Sequence, residues 1–200
     1  YAFQTLKSRG YEAVDILYLT AFGPTDPANL SLPFRDADGD GLNDADGWAT
    51  LENLRQAITG VSVPGAHPDI PLDFGPGAGR LLIIMMNHGH RTRDFMTFRL
   101  NETQVLSSIS LDGWLDDLQT PPGQEGLVAP PAPDVTLVAD CCYSGQFVLD
   151  CRLTETEGNG GEGWNGSPGH NPAHLEGRKR IIVTSTDPYT EAVFLPPPDM

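Results

Sequence analysis

Three apolar stretches of the chain have the pattern of buried β-strands. They are "RLLIIMM" (80–86), "DVTLVAD" (134–140) and "RIIVTST" (180–186). The first is apolar without alternation, which is typical of a strand that is covered on both faces of a sheet. Two more strands are predicted at "VDILYLT" (14–20), which is rich in β-branched and aromatic residues, and at "FMTFRL" (95–100).

Segments with helical periodicity alternate with these strands. Residues 1–10 have the pattern of the end of a helix, with a stop at Gly10. Two further helices are predicted around 48–58 and 111–118 because apolar residues recur there at helical spacing. These residues are Leu51, Leu54 and Ile58 in the first segment, and Leu111, Trp114, Leu115 and Leu118 in the second. The alternation predicts an α/β fold with a mostly parallel sheet.

Composition and charge narrow the classes of partner. The chain has 200 residues, of which 39% are hydrophobic, enough for one domain over 1–200 with its own core. The net charge of −15 argues against binding to nucleic acid or anionic lipid, because both would be repelled. No apolar run approaches the roughly 20 residues that span a membrane, so no membrane segment is expected.

The candidate chemistry lies where two of the predicted strands end. "LLIIMM" continues into Asn87, His88, Gly89 and His90, and "VTLVAD" continues into "CCYSG". Three cysteines, an odd number, do not make a disulfide framework. Because the carboxyl ends of neighbouring parallel strands meet at one edge of a sheet, we expect these two segments to lie together.

A histidine beside a cysteine at such an edge suits nucleophilic catalysis. A nearby imidazole favours the reactive thiolate and can later protonate a leaving amine. A glycine directly after the histidine allows close approach of a substrate, and its N–H can help to stabilise an oxyanion.

These two motifs together resemble the caspase-haemoglobinase fold of cysteine peptidases. His88 lies about 50 residues before Cys142, the spacing typical of caspases. "DCCYSG" is similar to the metacaspase pattern Asp-x-Cys-His-Ser-Gly except at Tyr143, and it is less similar to the legumain pattern Glu-Ala-Cys-Glu-Ser-Gly. The opening "LKSRGYEAVDILYLT" also resembles legumains. The implied architecture is a caspase-like three-layer sandwich.

The resemblance implies a role for each matching residue. Cys142 would be the nucleophile and His88 the general acid/base, and the N–H groups of Gly89 and Cys142 would form the oxyanion hole. Asp140 matches the acid that shapes the pocket for the P1 residue, the residue on the acyl side of the cleaved bond. A carboxylate there implies a basic or Asn P1 residue. Ser185 is expected to form part of the pocket wall.

Other interpretations of the same residues remain open. Cys141 has the position of a small buried hydrophobic residue, and His90 that of a loop histidine. A metal site using both histidines and both cysteines is conceivable, although adjacent cysteines lack the usual zinc spacing. Ser144 is a weak candidate nucleophile because "CYSGQ" lacks the first glycine of an elbow motif.

An Asp-rich loop, "DADGDGLNDADG" (36–47), matches the start of a calcium-binding loop, with carboxylates at positions 1, 3 and 5. Position 12 is Gly47 instead of an acid, so the loop is closer to the short Asp-rich loops of extracellular calcium proteins. The loop predicts a structural Ca²⁺ ion and favours an extracellular or cell-surface location. The alternative is a solvated acidic turn that caps the next helix. The predicted ligands are Asp36, Asp38, Asp40, Leu42, Asp44 and Asp46.

The leading hypothesis is therefore a cysteine endopeptidase that acts on protein or peptide substrates and needs no cofactor for catalysis. The alternatives are an inactive, calcium-stabilised binding or regulatory module of the same fold and, more distantly, a metal-dependent hydrolase. Caspase-like folds begin with a strand before the first helix, whereas this chain begins in that helix. We therefore expect the fold to be incomplete at the N-terminus and the chain, which ends at "LPPPDM", to be a fragment.

Overall fold

A computed structural model describes residues 2–21, 44–119, 133–150 and 180–191. The helices in these ranges are α1 (Ala2–Ser8), α2 (Leu51–Thr59), α3 (Phe74–Gly77), α4 (Ser108–Gln119) and α5 (Gln146–Asp150). The strands are β1 (Leu19–Thr20), β2 (Gly47–Trp48), β3 (Arg80–Met86), β4 (Gly89–Arg91), β5 (Met96–Arg99), β6 (Val105–Ser107), β7 (Asp134–Asp140) and β8 (Arg180–Thr184).

The main sheet is parallel, with the strand order β3-β7-β8. All three strands were predicted from their apolar patterns, and the bounds of β3 and β7 match the sequence segments. In the register, Met86 lies beside Asp140, and Ala139 lies beside Thr184. The prediction of a mixed α/β structure with a parallel sheet is confirmed.

One face of the parallel sheet packs on α2 and α4 and forms the core. Each large aliphatic side chain buried there contributes about 1.5–3 kcal/mol. The buried sheet residues include Leu81, Ile83, Met85, Val135, Leu137 and Ala139, and the helices supply Ile58, Leu111, Leu115 and Leu118.

The opposite face of the sheet remains accessible in the described structure. Leu82 is 41% exposed and Met86 is 58% exposed, and Ile181 and Val183 are exposed as well. The prediction that 80–86 is covered on both faces is therefore wrong for the described residues. A continuous apolar run places apolar side chains on both faces of a strand, but it does not determine what packs against them.

A second, antiparallel sheet with the order β4-β5-β6 follows β3. Its inner face buries Met96, Phe98 and Leu106. The predicted short strand at 95–100 is confirmed as β5. This sheet positions the residues that follow His88.

The predicted strand at 14–20 is wrong over most of its length. Ala13–Asp15 is a short 3-10 helix, and only Leu19–Thr20 is a strand, parallel to β2. The Asp15 carboxylate accepts a hydrogen bond from the Glu12 N–H at 3.0 Å. This local side-chain bond stabilises a turn where the β-branched residues favour a strand.

The three predicted helices are confirmed as α1, α2 and α4. Helix α1 ends before Gly10, which has a φ of +93°. Helix α2 begins after Thr50, whose Oγ1 accepts a hydrogen bond from the Asn53 N–H at 3.1 Å, and it ends at the left-handed Gly60.

A buried arginine connects β8 to α4. The Arg180 side chain is only 2% exposed. Its guanidinium donates to the Asp112 carboxylate at 2.8 Å, to the Asp116 carboxylate and to Gln119 Oε1 at 2.6 Å. The network fixes the start of β8, the strand whose far end leads to the candidate site.

Within the ranges that the structure describes, no helix has the length and apolar character needed to cross a membrane.

Candidate active site

Two segments with reactive side chains start side by side at the carboxyl edge of the parallel sheet. Strands β3 and β7 end in register, with Met86 beside Asp140. The chain then continues into Asn87–His88–Gly89 from β3, and into Cys141–Cys142 from β7. The structure thus brings together the two motifs that the sequence places about 50 residues apart.

Gly89 lies against the backbone of Cys142. A Cβ atom at position 89 would overlap the carbonyl oxygen of Cys142 and would lie 3.1 Å from Met96 Cε. Since backbone and core atoms cannot move away easily, only glycine fits here. The glycine of the His-Gly pair is therefore required by the contact between the two segments.

The hydrogen-bond pattern of β4 determines where the Gly89 N–H points. The Arg99 N–H donates to the His88 carbonyl, and the Thr92 N–H donates to the Phe95 carbonyl, both at 2.9 Å. In an antiparallel pair, alternate residues direct their N–H and C=O groups toward the partner strand. His88 and Thr92 thus face β5, and the Gly89 N–H points away from β5 at the outer edge of this sheet. A donor with this direction is suited to an oxyanion hole.

His88 itself is an exposed residue directly before β4. Its backbone N–H donates to Asn87 Oδ1 at 2.8 Å. This local bond and the pairing of the His88 carbonyl with β5 both fix the backbone of the histidine directly after β3.

The two adjacent cysteines have different environments. Cys141 is completely buried in the core, whereas Cys142 is half-buried, and neither forms a disulfide. Burial raises the pKa of the Cys141 thiol to about 12, and the charges of Cys142 and Asp140 act in the same direction. Cys141 therefore stays a neutral thiol at neutral pH, and only the environment of Cys142 gives access to solvent.

Tyr143, directly after Cys142, has a left-handed backbone with a φ of +58°. This conformation is costly for a residue with a side chain and must be stabilised by its surroundings. The Tyr143 N–H donates to the Thr190 carbonyl at 2.9 Å, and its hydroxyl donates to Glu191 Oε1 at 2.8 Å. The hydrogen bond to Glu191 raises the pKa of Tyr143 above its ordinary value. These contacts hold the turn at Cys142.

The rest of the turn is fastened to the segment that follows β8. The buried Ser144 hydroxyl lies 3.0 Å from Thr186 Oγ1, and the Thr186 hydroxyl donates to the Cys141 carbonyl at 3.2 Å. A Cβ atom at Gly145 would lie 2.6 Å from atoms of Asp187 and Pro188. Ser144 and Gly145 therefore have structural roles, and the buried Ser144 hydroxyl is poorly placed to be a nucleophile.

The two predicted pocket residues lie on the same face of the parallel sheet. The Ser185 N–H donates to the Ala139 carbonyl at 3.2 Å, which continues the β7–β8 pairing by one residue. Side chains alternate between faces, so Asp140 and Ser185 share the accessible face with Met86, the register partner of Asp140. Asp140 is half-buried, and Ser185 and Met86 are exposed.

Several residues that shape the site were missed by the sequence analysis. Met86 extends the row of Asp140 and Ser185, and Thr186 anchors the turn at Cys142. The guanidinium of Arg91 lies 4.5 Å from the centre of the Tyr189 ring, which connects β4 to the segment after β8. Met86 could have been found only from the strand register that pairs it with Asp140. The contacts of Thr186 and Arg91 depend on tertiary structure and leave no pattern in the sequence.

The predicted calcium ligands are only partly described. Asp46 Oδ2 accepts a hydrogen bond from the Tyr18 N–H at 2.7 Å, and Asp44 is nearby. Burial raises the pKa of Asp46, and the Asp44 charge adds to this shift. In the described ranges no three His, Cys, Asp or Glu side chains are placed to hold a metal ion. The other predicted ligands, Asp36, Asp38, Asp40 and Leu42, lie outside the described residues.

A scan against the models of known protein families gave no match to the chain, and a search of the curated proteins gave none either.

Proposed function

We propose that this chain is a cysteine endopeptidase of the caspase-haemoglobinase type, with a three-layer sandwich fold, in which Cys142 is the nucleophile and His88 the general acid/base. The main support for the proposal is the contact between Gly89 and the Cys142 carbonyl. It brings a histidine, a glycine N–H at the outer edge of β4 and a half-buried cysteine to the same end of adjacent parallel strands.

The first half of the reaction forms a thioester. The Cys142 thiolate attacks the carbonyl carbon of the scissile peptide bond, and the negative charge moves to the carbonyl oxygen. The N–H groups of Gly89 and Cys142 donate to this oxyanion. The tetrahedral intermediate collapses, the C–N bond breaks, and the imidazolium of His88 gives its proton to the leaving amine.

The second half releases the acid. Neutral His88 takes a proton from a water molecule as that water attacks the thioester carbon. The C–S bond then breaks, the peptide leaves as a carboxylic acid, and the Cys142 thiol is regenerated. The reaction consumes one water for each bond cleaved and needs no external cofactor.

Asp140 is proposed to select the substrate. Its half-buried carboxylate lies at the end of β7, next to Ser185 and Met86 on one face. A carboxylate at this position favours a P1 side chain that carries a positive charge or an amide N–H. The exposed thioether chain of Met86 offers apolar contact to the stem of an Arg or Lys side chain.

Hydrolysis of peptides by the full chain tests the proposal. Peptides with Arg, Lys or Asn at P1 are compared for the wild type, Cys142→Ala, His88→Ala and Cys141→Ala. Turnover is expected only for the wild type and Cys141→Ala. Hydrolysis that survives in Cys142→Ala contradicts the proposal, and tight peptide binding without turnover in the wild type supports an inactive binding module instead.

A further inference from the structure

An open groove of about 220 Å³ lies on the exposed face of the antiparallel sheet and begins at His88. Side chains alternate along β4, β5 and β6, so one face of this sheet buries Met96, Phe98 and Leu106 and the other faces the groove. The residues that matter for its chemistry are His88, His90, Thr97, Arg99 and Glu102.

The far end of the groove is a rigid turn built around Asn101. This side chain is 2% exposed, and its Nδ2 donates to the Ala49 carbonyl at 2.8 Å. Its Oδ1 accepts hydrogen bonds from the Thr103 and Gln104 N–H groups, both at 2.9 Å. Because the bond to Ala49, in the segment before α2, holds the turn in place, binding of a ligand in the groove would cost little ordering entropy.

The groove carries localised charge in a chain that is strongly acidic overall. The Nε of Arg99 donates to the Asn101 carbonyl at 3.2 Å, which fixes the guanidinium against the rigid turn. That bond uses one of five N–H donors, so the group can bind a carboxylate as well. His90 and Glu102 also line the groove.

The position of the groove relative to the dyad indicates which part of a substrate reaches it. Along the edge of the main sheet the order is β3, β7, β8, so Cys142 lies between His88 on one side and Ser185 on the other. The groove continues outward from His88, away from the P1 residues Asp140 and Ser185. In the proposed reaction His88 protonates the leaving amine, so the segment that follows the scissile bond leaves the dyad on the His88 side.

We infer that this groove is the binding site for the leaving segment of the peptide substrate, with Arg99 pairing with an acidic side chain on that segment. The inference rests on the proposed peptidase function and adds a second specificity determinant to it. Selectivity would then come from both sides of the scissile bond, through Asp140 on the acyl side and Arg99 on the leaving side.

Capture of the acyl-enzyme by added amines tests this inference. The full chain is acylated with a peptide ester, and tripeptide amines that contain either Asp or Asn compete with water for the thioester. For the wild type we expect the Asp tripeptide to be the better acceptor. Arg99→Gln should lower its capture about three- to fivefold, the effect of one exposed charge pair, and should leave capture of the Asn tripeptide unchanged.

Two controls separate the groove from the dyad. Arg93→Gln changes a cation in the turn between β4 and β5, whose side chain is 95% exposed and lies outside the groove, and it should change neither capture rate. Hydrolysis of an ester with a small leaving alcohol reports on the dyad alone, so the capture rates of each variant are compared after division by this rate. A preference for acceptors with Lys that is lost in Glu102→Gln would overturn the assignment of Arg99.

The outcomes distinguish the inference from its premise. If the wild type forms no acyl-enzyme, the peptidase proposal fails and the inference fails with it. If the acyl-enzyme forms and hydrolyses but Arg99→Gln does not alter the choice between Asp and Asn acceptors, the inference alone is overturned.

Discussion

The α-carbon of Gly89 faces the carbonyl oxygen of Cys142 so closely that no side chain fits between them. This contact joins the residue after the candidate base to the candidate nucleophile, and it is the tightest constraint at the site. It also leaves the Gly89 N–H at the outer edge of β4, where it can donate to a developing oxyanion.

Gly89→Ala should therefore abolish most of the activity. Its Cβ must push the turn at Cys142 away, which displaces an oxyanion donor, and loss of one such donor costs about a hundredfold in kcat or more. Gly113→Ala is the matched control, because a Cβ there meets no atom within 4 Å. We expect Gly113→Ala to keep full activity. Equal kcat for Gly89→Ala and the wild type would contradict the assigned contact.

Asp140→Asn should lower kcat/KM for substrates with Arg or Lys at P1 by about tenfold or more, because one charge-assisted hydrogen bond is lost. The substitution keeps the shape of the side chain. Asp134→Asn, at the other end of β7, removes the same charge far from the site and should have no effect on kcat/KM. A uniform loss in both variants would indicate a general electrostatic effect.

Arg180→Ala should destabilise the fold by about 3–5 kcal/mol. It removes the buried cation that pairs with the Asp112 and Asp116 carboxylates, and both carboxylates are left without it. The free energy of unfolding in urea measures this loss. Arg93→Ala, whose side chain is almost fully exposed, should change stability by less than about 0.5 kcal/mol. If the two variants are equally stable, the network does not hold β8.

Calcium should stabilise the chain through the Asp-rich loop. The midpoint of thermal unfolding is expected to rise by several degrees with Ca²⁺ in the wild type, because ligands that bind only the folded state stabilise it. The double variant Asp36→Ala, Asp38→Ala should lose this response, whereas Asp69→Ala, an exposed acid elsewhere, should retain it. A midpoint that does not move with Ca²⁺ in the wild type would remove the calcium proposal.

Strands with strong apolar patterns could be predicted from the sequence, and the reactive residues after two of them led to the prediction that their ends lie together. The runs at 80–86 and 134–140 gave the bounds of β3 and β7, and parallel pairing brought His88 and Cys142 to one edge. The prediction of a strand at 14–20 failed because the Asp15 carboxylate accepts a hydrogen bond from the backbone of Glu12. Such a local bond competes with strand pairing, and β propensity does not account for it.

Other features of the site depend on contacts between distant segments, which single-sequence patterns do not contain. The left-handed backbone at Tyr143 is stabilised by Thr190 and Glu191, almost 50 residues away. The turn at the far end of the groove beside His88 is fixed by the bond from Asn101 to the backbone of Ala49. Motif spacing identifies candidate reactive groups, whereas the surfaces that would select a substrate required the structure.

Identification of the alkylated cysteine tests most directly whether Cys142 is the nucleophile. The full chain is treated at neutral pH with a cysteine-reactive substrate mimic, and the modified residue is located by mass spectrometry in the wild type, Cys141→Ala, Cys142→Ala and His88→Ala. Burial holds the Cys141 pKa at about 12, so Cys141 should remain unmodified. We expect rapid modification of Cys142 in the wild type and Cys141→Ala, and slow modification in His88→Ala. Rapid modification of Cys142→Ala, or equal rates with and without His88, would contradict it.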